Sequence, residues 1–92
     1  MSMTSTPKIV IGLPVYNGEN YLREAIESIL AQSYTDFRLL IGDNASTDRT
    51  SEIAQSYAKQ DSRVIYYRHD RNLGVAGNSN FLFNQSDSPY FR

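Results

Sequence analysis

Four apolar segments recur at nearly even spacing along this chain of 92 residues. They begin at residues 8, 37, 64 and 90, and the stretches between them are mostly polar or helix-favouring. A strand and its crossover helix need about this much chain in a series of βαβ units. The spacing therefore predicts an α/β, Rossmann-like βαβαβα(β) fold with a mostly parallel sheet. One core is expected, since compact domains commonly run to about 100–150 residues.

Apolar periodicity locates the individual elements. Strands are predicted over residues 8–13, 37–43 and 64–68, and a fourth strand begins at residue 90. A first helix is predicted over residues 19–32, a second follows the polar segment 43–48, and a third covers residues 75–85. The predicted buried faces of these three helices are Leu22, Ala25, Ile26, Ile29 and Leu30; Ile53, Ala54, Tyr57 and Ala58; and Val75, Leu82 and Phe83. We expect residues 1–7 to form a disordered tail and residues 8–92 to form the domain.

Charge and cysteine content narrow the possible partners. Nine Lys and Arg against ten Asp and Glu give a net charge of -1, which argues against nucleic-acid binding and against a polybasic membrane patch. The chain has no cysteine and a single histidine, which argues against disulfides and against thiolate or histidine-rich metal sites. No secretion signal opens the sequence, and no apolar run approaches the roughly 18–20 residues of a membrane span. These features predict a cytoplasmic location.

Two polar loops follow the first two predicted strands, at residues 14–19 and 43–48. The carboxyl ends of parallel strands meet at one edge of a sheet, and ligands bind there in such folds. Tyr16 offers a flat face for a base, Asp43 or Asn44 can accept from base or ribose donors, and backbone N–H groups can contact phosphate. The same residue types also cap helices and accept positive φ, so each loop alone remains open to that simpler interpretation. Their occurrence at two neighbouring strand ends favours a nucleotide cleft.

Several common motifs are missing. No G-x-G-x-x-G follows the first strand and no G-x-x-x-x-G-K-[ST] occurs, which argues against a dinucleotide-dependent dehydrogenase and a P-loop enzyme. His69 has no G-x-S-x-G partner, so a hydrolase triad has little support and an exposed or hydrogen-bonded loop histidine is the better interpretation. Arg68 and Arg71 flank the end of the third predicted strand, where they can face an anion.

An ordered set of motifs runs along the chain: IVIGLPVYNG at 9–18, SILAQSY at 28–34, DF at 36–37, DNASTD at 43–48 and NLG at 72–74. From about residue 8 to residue 92 the chain resembles the amino-terminal nucleotide-binding half of family 2 glycosyltransferases with the GT-A fold. The resemblance implies a role in transferring a sugar from a nucleotide-diphosphate donor, UDP- or dTDP-linked, to an acceptor hydroxyl with inversion.

The resemblance also assigns residues. It implies that Pro14 and Tyr16 line the base pocket and that Asp43 and Asn44 contact the base and the ribose. Asn44 stands where many members have Asp, and Gly77-Asn78 stands where many have Arg-Asn. The full set of predicted nucleotide-binding residues is Pro14, Tyr16, Asn17, Asp43, Asn44, Asp48, Asn72 and Gly74.

Two parts of the family's chemistry are not found in this sequence. The resemblance implies an Asp-x-Asp motif that binds Mn²⁺ or Mg²⁺ on the diphosphate and a later acidic general base, and neither occurs here. We therefore expect a truncated segment that binds the nucleotide without transferring the sugar, with no catalytic residue or metal ligand of its own. An exposed sheet edge would favour a homodimer. A non-catalytic α/β interaction module and a flavodoxin-like nucleotide binder remain the alternatives.

Overall fold

The computed structural model describes residues 9–33 and 36–85, together with the backbone of residues 90–91. The predicted tail at residues 1–7 lies outside these residues. The elements, in chain order, are β1 (Ile9–Val15), α1 (Leu22–Leu30), β2 (Phe37–Asp43), α2 (Thr50–Gln60), β3 (Val64–Arg68), α3 (Gly74–Gln85) and β4 (Tyr90–Phe91).

The strands form one sheet in the order β3-β2-β1-β4, and every neighbouring pair is parallel. The predicted Rossmann-like parallel sheet is confirmed. Val15 pairs with Asp43 and Asp43 pairs with Arg68, so the carboxyl ends of three strands lie in one row. The loops that follow these strands consequently leave the sheet at the same edge.

Helices cover both faces of the sheet, and each face has its own apolar cluster. On the face of α1 and α2, Leu22, Ile26 and Ala54 are fully buried against the strands. On the opposite face, Leu82 of α3 packs with Val10 and Leu40. The predicted buried faces of α1 and α2 are therefore correct. The sheet has two apolar clusters because successive strand residues point to opposite faces.

The bounds of β1 and α1 differ from the sequence prediction. β1 continues two residues beyond the predicted Leu13, because its register with β2 extends through Pro14 to Val15. α1 begins at Leu22 and not at residue 19, since the N–H groups of Tyr21 and Leu22 both donate to Gly18 O in a tight turn. The residues that precede α1 are thereby left to a loop at the functional edge.

The buried face of α3 also differs from the prediction. Val75 and Phe83 are 80% and 60% exposed, whereas Asn78 and Leu82 are fully buried. Residues 78 and 82 are four apart and lie on one side of the helix, and Phe81 beside them packs edge-on against Tyr67. A polar residue thus occupies the inner face, which apolar periodicity alone cannot predict.

Candidate functional site

Three loops meet at the carboxyl edge of the sheet: loop 1 (residues 16–21), loop 2 (residues 44–49) and loop 3 (residues 69–73). Two backbone hydrogen bonds extend the sheet pairing into them. Asn44 N donates to Val15 O, and His69 N donates to Asp43 O, both at 2.9 Å. The loops therefore begin side by side, as the parallel register requires.

Loops 1 and 2 are joined by reciprocal hydrogen bonds. Asn17 N donates to Ser46 Oγ at 2.8 Å, and Thr47 N donates back to Asn17 Oδ1 at 2.8 Å. Gly18 N donates to the buried hydroxyl of Thr50 at 2.8 Å. Asn17 has a positive φ of 48°, which asparagine tolerates better than most residues. Its carboxamide oxygen thus serves the loop contact, while its contact with a nucleotide stays a prediction.

The two acidic residues of these loops accept hydrogen bonds from backbone N–H groups in loop 1 and at the start of α2. Asp48 Oδ1 accepts from Thr50 N at 2.9 Å, and its Oδ2 accepts from Glu19 N at 3.1 Å. Glu19 Oε1 in return accepts from Arg49 N at 2.9 Å. Desolvation opposes ionisation of Asp48, but the hydrogen bonds from Thr50 and Glu19 outweigh it and lower the pKa of this carboxyl. Asp48 is therefore an acceptor for the first turn of α2, and its nucleotide contact also stays a prediction.

Asp43 lies at the centre of the row of strand ends, and its side chain is fully buried. Its Oδ1 accepts from Ser46 N at 2.9 Å, and its Oδ2 accepts from the Tyr66 hydroxyl at 2.6 Å and from Arg68 Nη1 at 3.1 Å. A carboxylate offers about four acceptor positions, so these donors leave about one. Burial, followed by the hydrogen bond to Asp43, raises the pKa of Tyr66. The three donors fix the orientation of the Asp43 carboxylate, which remains a hydrogen-bond acceptor for a further donor.

Asn44 connects loop 2 to loop 3 and is itself buried. Its Oδ1 accepts from Leu73 N at 2.9 Å, and its Nδ2 donates to Gly74 O at 3.2 Å. Asn72 Oδ1 accepts from Gly74 N at 2.7 Å, and Gly74 has a positive φ of 77°. An amide supplies both a donor and an acceptor, whereas an aspartate would supply acceptors only. Asn44 can therefore bond to both Leu73 N and Gly74 O, which an aspartate at this position could not do.

The predicted base-pocket residues Pro14 and Tyr16 lie at the same edge, and both are exposed. Tyr16 follows the last residue of β1 directly, and half of its surface is open to solvent. The structure thus brings all eight predicted residues to one edge of the sheet, on three loops and the adjoining strand and helix ends.

Sequence reasoning missed a polar connection beneath loop 3. Asn78 Nδ2 donates to Gly42 O at 2.8 Å, and Asn78 Oδ1 lies 2.8 Å from His69 Nε2. Because the carbonyl of Gly42 can only accept, the amide oxygen of Asn78 must accept, and His69 carries its proton on Nε2. Gly42 leaves no room for a Cβ, which would collide with Asn78 Oδ1. Of the two predicted alternatives, an exposed or a hydrogen-bonded loop histidine, His69 is the hydrogen-bonded one, and it is buried.

Tyr66 is a second contact residue that the sequence analysis did not identify. It occupies an apolar position of β3, and its ring packs against the cluster formed with α1 and α2. Strand periodicity predicts that the Tyr66 ring packs against the core, but no sequence pattern indicates that its hydroxyl bonds to Asp43.

Within residues 9–33 and 36–85, no group of three His, Cys, Asp or Glu side chains could hold a metal ion. No helix in this part of the chain is long and apolar enough to cross a membrane. Two surface depressions lie beside the loops. One of about 270 Å³ is lined by Glu19, Asn20, Arg23, Arg49 and Ile53, and one of about 550 Å³ lies along α2 between Asp48 and Lys59. Neither is lined by Tyr16 or Asp43.

Comparison with known proteins gives a family match. The sequence model described as glycosyl transferase family 2 matches residues 10–92. The chain is 34% identical over 83 residues to glycosyltransferase GlyA of Streptococcus pneumoniae, covering 90% of this chain and 12% of GlyA. It is 38% identical over 88 residues to glycosyltransferase RT0329 of Rickettsia typhi, and this match covers 96% of this chain and 26% of RT0329. The chain thus spans about a quarter or less of the length of these curated relatives.

Solved structures give the same fold. A mannosyltransferase from Pyrobaculum calidifontis, solved with GDP-Man and Mn²⁺, matches 90% of this chain and 25% of its own with a TM-score of 0.79 and 22% identity. Residues 1–349 of TarS from Staphylococcus aureus match 91% of this chain and 26% of their own length, with a TM-score of 0.83 and 24% identity. At these identities the likeness establishes the GT-A type of fold.

Proposed function

Since the chain belongs to glycosyl transferase family 2, we propose that it binds the nucleotide part of a nucleotide-diphosphate sugar at the edge formed by loops 1, 2 and 3. The observation that carries this proposal is the placement of Asp43. Its carboxylate is buried at the end of β2, and hydrogen bonds from three donors fix its orientation. Loop 1, which carries the exposed ring of Tyr16, begins at the neighbouring strand end.

Asp43 favours bases that carry a ring N–H. A carboxylate only accepts hydrogen bonds, and uracil, thymine and guanine each present a ring N–H between two polar neighbours. Cytosine and adenine have an unprotonated ring nitrogen at that position and would leave the carboxylate without its donor. The ring N–H is shared by the expected UDP- and dTDP-linked donors and by GDP-linked donors, so all three kinds of sugar donor fit the proposal. The GDP-Man held by the Pyrobaculum neighbour carries a base of the same donor class.

The remaining predicted residues would complete the nucleotide contacts. The ring of Tyr16 can stack on the base, since it is half exposed beside the end of β1. Asn44, Asn72 and Gly74 form the connection between loops 2 and 3 that would enclose the ribose. Arg68 places a cation at the same edge, where the diphosphate needs charge compensation.

We propose that this chain binds the donor without transferring its sugar. A Mn²⁺ or Mg²⁺ ion would neutralise charge on the departing nucleotide diphosphate in the full-length enzyme. Among residues 9–33 and 36–85 no group of three His, Cys, Asp or Glu side chains could hold such an ion, and we propose that its protein ligands lie elsewhere in the enzyme. The contribution of Asp43 and its neighbours is to bind and orient the nucleotide.

Calorimetric titration of the 92-residue chain tests this function. UDP, dTDP and GDP should bind, whereas CDP and FMN should bind at least about tenfold more weakly. Asp43→Ala should abolish the nucleoside-diphosphate signal, and Asp70→Ala, an exposed residue of loop 3, should preserve it. Equal binding of UDP and CDP would contradict the role of Asp43. Preferential binding of FMN would support a flavodoxin-like function instead.

Self-association is a further part of the proposal. β3 is the last strand on its side of the described sheet, so its outer edge carries backbone groups that can pair with another strand. We expect a homodimer through this edge or the adjacent helices. Light scattering after size-exclusion chromatography should show a mass that rises with micromolar concentration, and a constant monomer mass would contradict it.

A further inference from the structure

The donors that surround Asp43 differ in how firmly the fold holds them. Ser46 N belongs to the backbone of a turn only three residues further along the chain. The Tyr66 hydroxyl stands on a half-buried ring that is packed in the core on the α1 and α2 side. Arg68 reaches Asp43 with a long side chain that is 45% exposed. Of these donors, Arg68 is the one that an incoming ligand can displace.

A base that contacts Asp43 must take the position of one of these donors or use the remaining acceptor site. The carboxylate is fully buried in this structure, and Arg68 covers it by binding both Asp43 Oδ2 and Ser46 O, each at 3.1 Å. When the guanidinium moves away, Oδ2 becomes available to a ring N–H. Ser46 N and the Tyr66 hydroxyl then remain as the contacts that fix the plane of the carboxylate.

We propose that Tyr66 is a positioning residue for base recognition, whose hydroxyl holds Asp43 Oδ2 in place while the ring N–H of the base replaces Arg68. This inference rests on the proposed nucleotide-binding function. Tyr66 acts only through Asp43 and has no contact with the base in this account. Without its hydroxyl the carboxylate keeps the single bond from Ser46 N and can rotate, so an N–H donor finds it in the required orientation less often.

The chain offers a matched control for Tyr66. Tyr67 is the next residue of β3, points to the opposite face of the sheet and packs edge-on against Phe81 at 5.2 Å between ring centroids. Changing either tyrosine to phenylalanine removes one hydroxyl and keeps the ring. Only the change at Tyr66 removes a hydrogen bond to Asp43.

The test compares UDP with 3-methyl-UDP, which lacks the ring N–H, by NMR titration of the 92-residue chain. The unmodified chain should prefer UDP by at least about tenfold. Tyr66→Phe should weaken UDP binding by about three- to tenfold and change 3-methyl-UDP binding less than about twofold, because only UDP uses the carboxylate. Tyr67→Phe should leave both affinities and their ratio unchanged.

Three results separate this inference from the proposed function. If the unmodified chain fails to bind UDP, the proposed function fails and the inference fails with it. If it binds UDP and 3-methyl-UDP equally, the role of Asp43 in base recognition is wrong, and the inference fails while nucleotide binding stands. If the chain prefers UDP but Tyr66→Phe keeps the full preference, or weakens both ligands equally, the positioning role alone is wrong. Should Tyr66→Phe not fold, Tyr66→4-aminophenylalanine is the second variant, because its amino group can still donate to Asp43 Oδ2. This variant should keep the preference for UDP, and loss of the preference would overturn the inference.

Discussion

The backbone N–H of Gly18 and the hydroxyl oxygen of Thr50 lie 2.8 Å apart and form a buried hydrogen bond between loop 1 and the first residue of α2. Thr50 is fully buried. This bond, together with those of Asn17 and Asp48, makes the two loops one polar unit. The register of β1 and β2 places Tyr16 and Asp43 at neighbouring strand ends, and this unit fixes the loops that follow them, so its integrity matters to both stability and binding.

Replacing Thr50 by valine should lower the free energy of unfolding by about 1–3 kcal/mol. Valine has the shape of threonine but leaves the buried Gly18 N–H without its acceptor. Urea denaturation measures the effect. Thr47→Val is the control, because Thr47 is exposed and its hydroxyl lies at 3.5 Å from Asn17 Oδ1, so a change of no more than about 0.5 kcal/mol is expected. Equal losses for the two variants would contradict the role of Thr50.

Ala45→Gly should stabilise the chain by up to about 1 kcal/mol. Ala45 has a positive φ of 59°, in a region that costs an L-residue about 1–2 kcal/mol, and glycine adopts it without that cost. Ala58→Gly, within α2, should have the opposite effect and destabilise by about 1 kcal/mol. Thermal denaturation of both variants measures the difference in sign, and destabilisation by Ala45→Gly would show that the strain is absent.

Asn44→Asp should destabilise the connection between loops 2 and 3. The carboxylate would lose the donation to Gly74 O and place a buried negative charge beside that carbonyl, at an expected cost of about 1–3 kcal/mol. Asn72→Asp is the matched control, because this exposed residue uses only its oxygen as an acceptor from Gly74 N. We expect its unfolding free energy to change by less than about 0.5 kcal/mol. A comparable loss at both positions would argue against the amide-specific role of Asn44.

Stability should fall in strongly alkaline solution. Burial and a hydrogen bond to Asp43 raise the pKa of Tyr66. Burial and a hydrogen bond to Glu27 raise the pKa of Tyr57 in the same way. Since the folded state favours the neutral hydroxyls, their contribution is fully present below the ordinary tyrosine pKa of about 10 and is lost as pH rises through the higher folded values. Urea denaturation between about pH 8 and pH 11 measures this loss.

The variant Asp43→Asn tests how far Asp43 contributes to this loss of stability at high pH. Asp43→Asn removes the negative charge beside Tyr66 and should lower the pKa of that tyrosine, which NMR of ring-labelled tyrosine reports once the Tyr66 signal is assigned by its loss in Tyr66→Phe. An unchanged Tyr66 titration in Asp43→Asn would contradict the contribution of Asp43 and leave burial as the cause of the raised pKa.

The sequence was sufficient for the strands and for the inner faces of α1 and α2, because apolar residues at period 2 and period 3.6 report burial directly. It failed for α3, where the buried Asn78 is stabilised by Gly42 O and His69, partners that only the tertiary structure supplies. The candidate site divides in the same way. Parallel topology brings the predicted residues to one edge, but the bonds of Tyr66 to Asp43 depend on side-chain directions in a neighbouring strand.

A crystal structure of the chain with UDP tests the central claim most directly. The account predicts that the uracil N3–H lies within hydrogen-bond distance of Asp43, with Tyr16 against the base and Arg68 moved away from the carboxylate. UDP bound instead in the depression along α2 between Asp48 and Lys59, with Asp43 still covered by Arg68, would contradict the account.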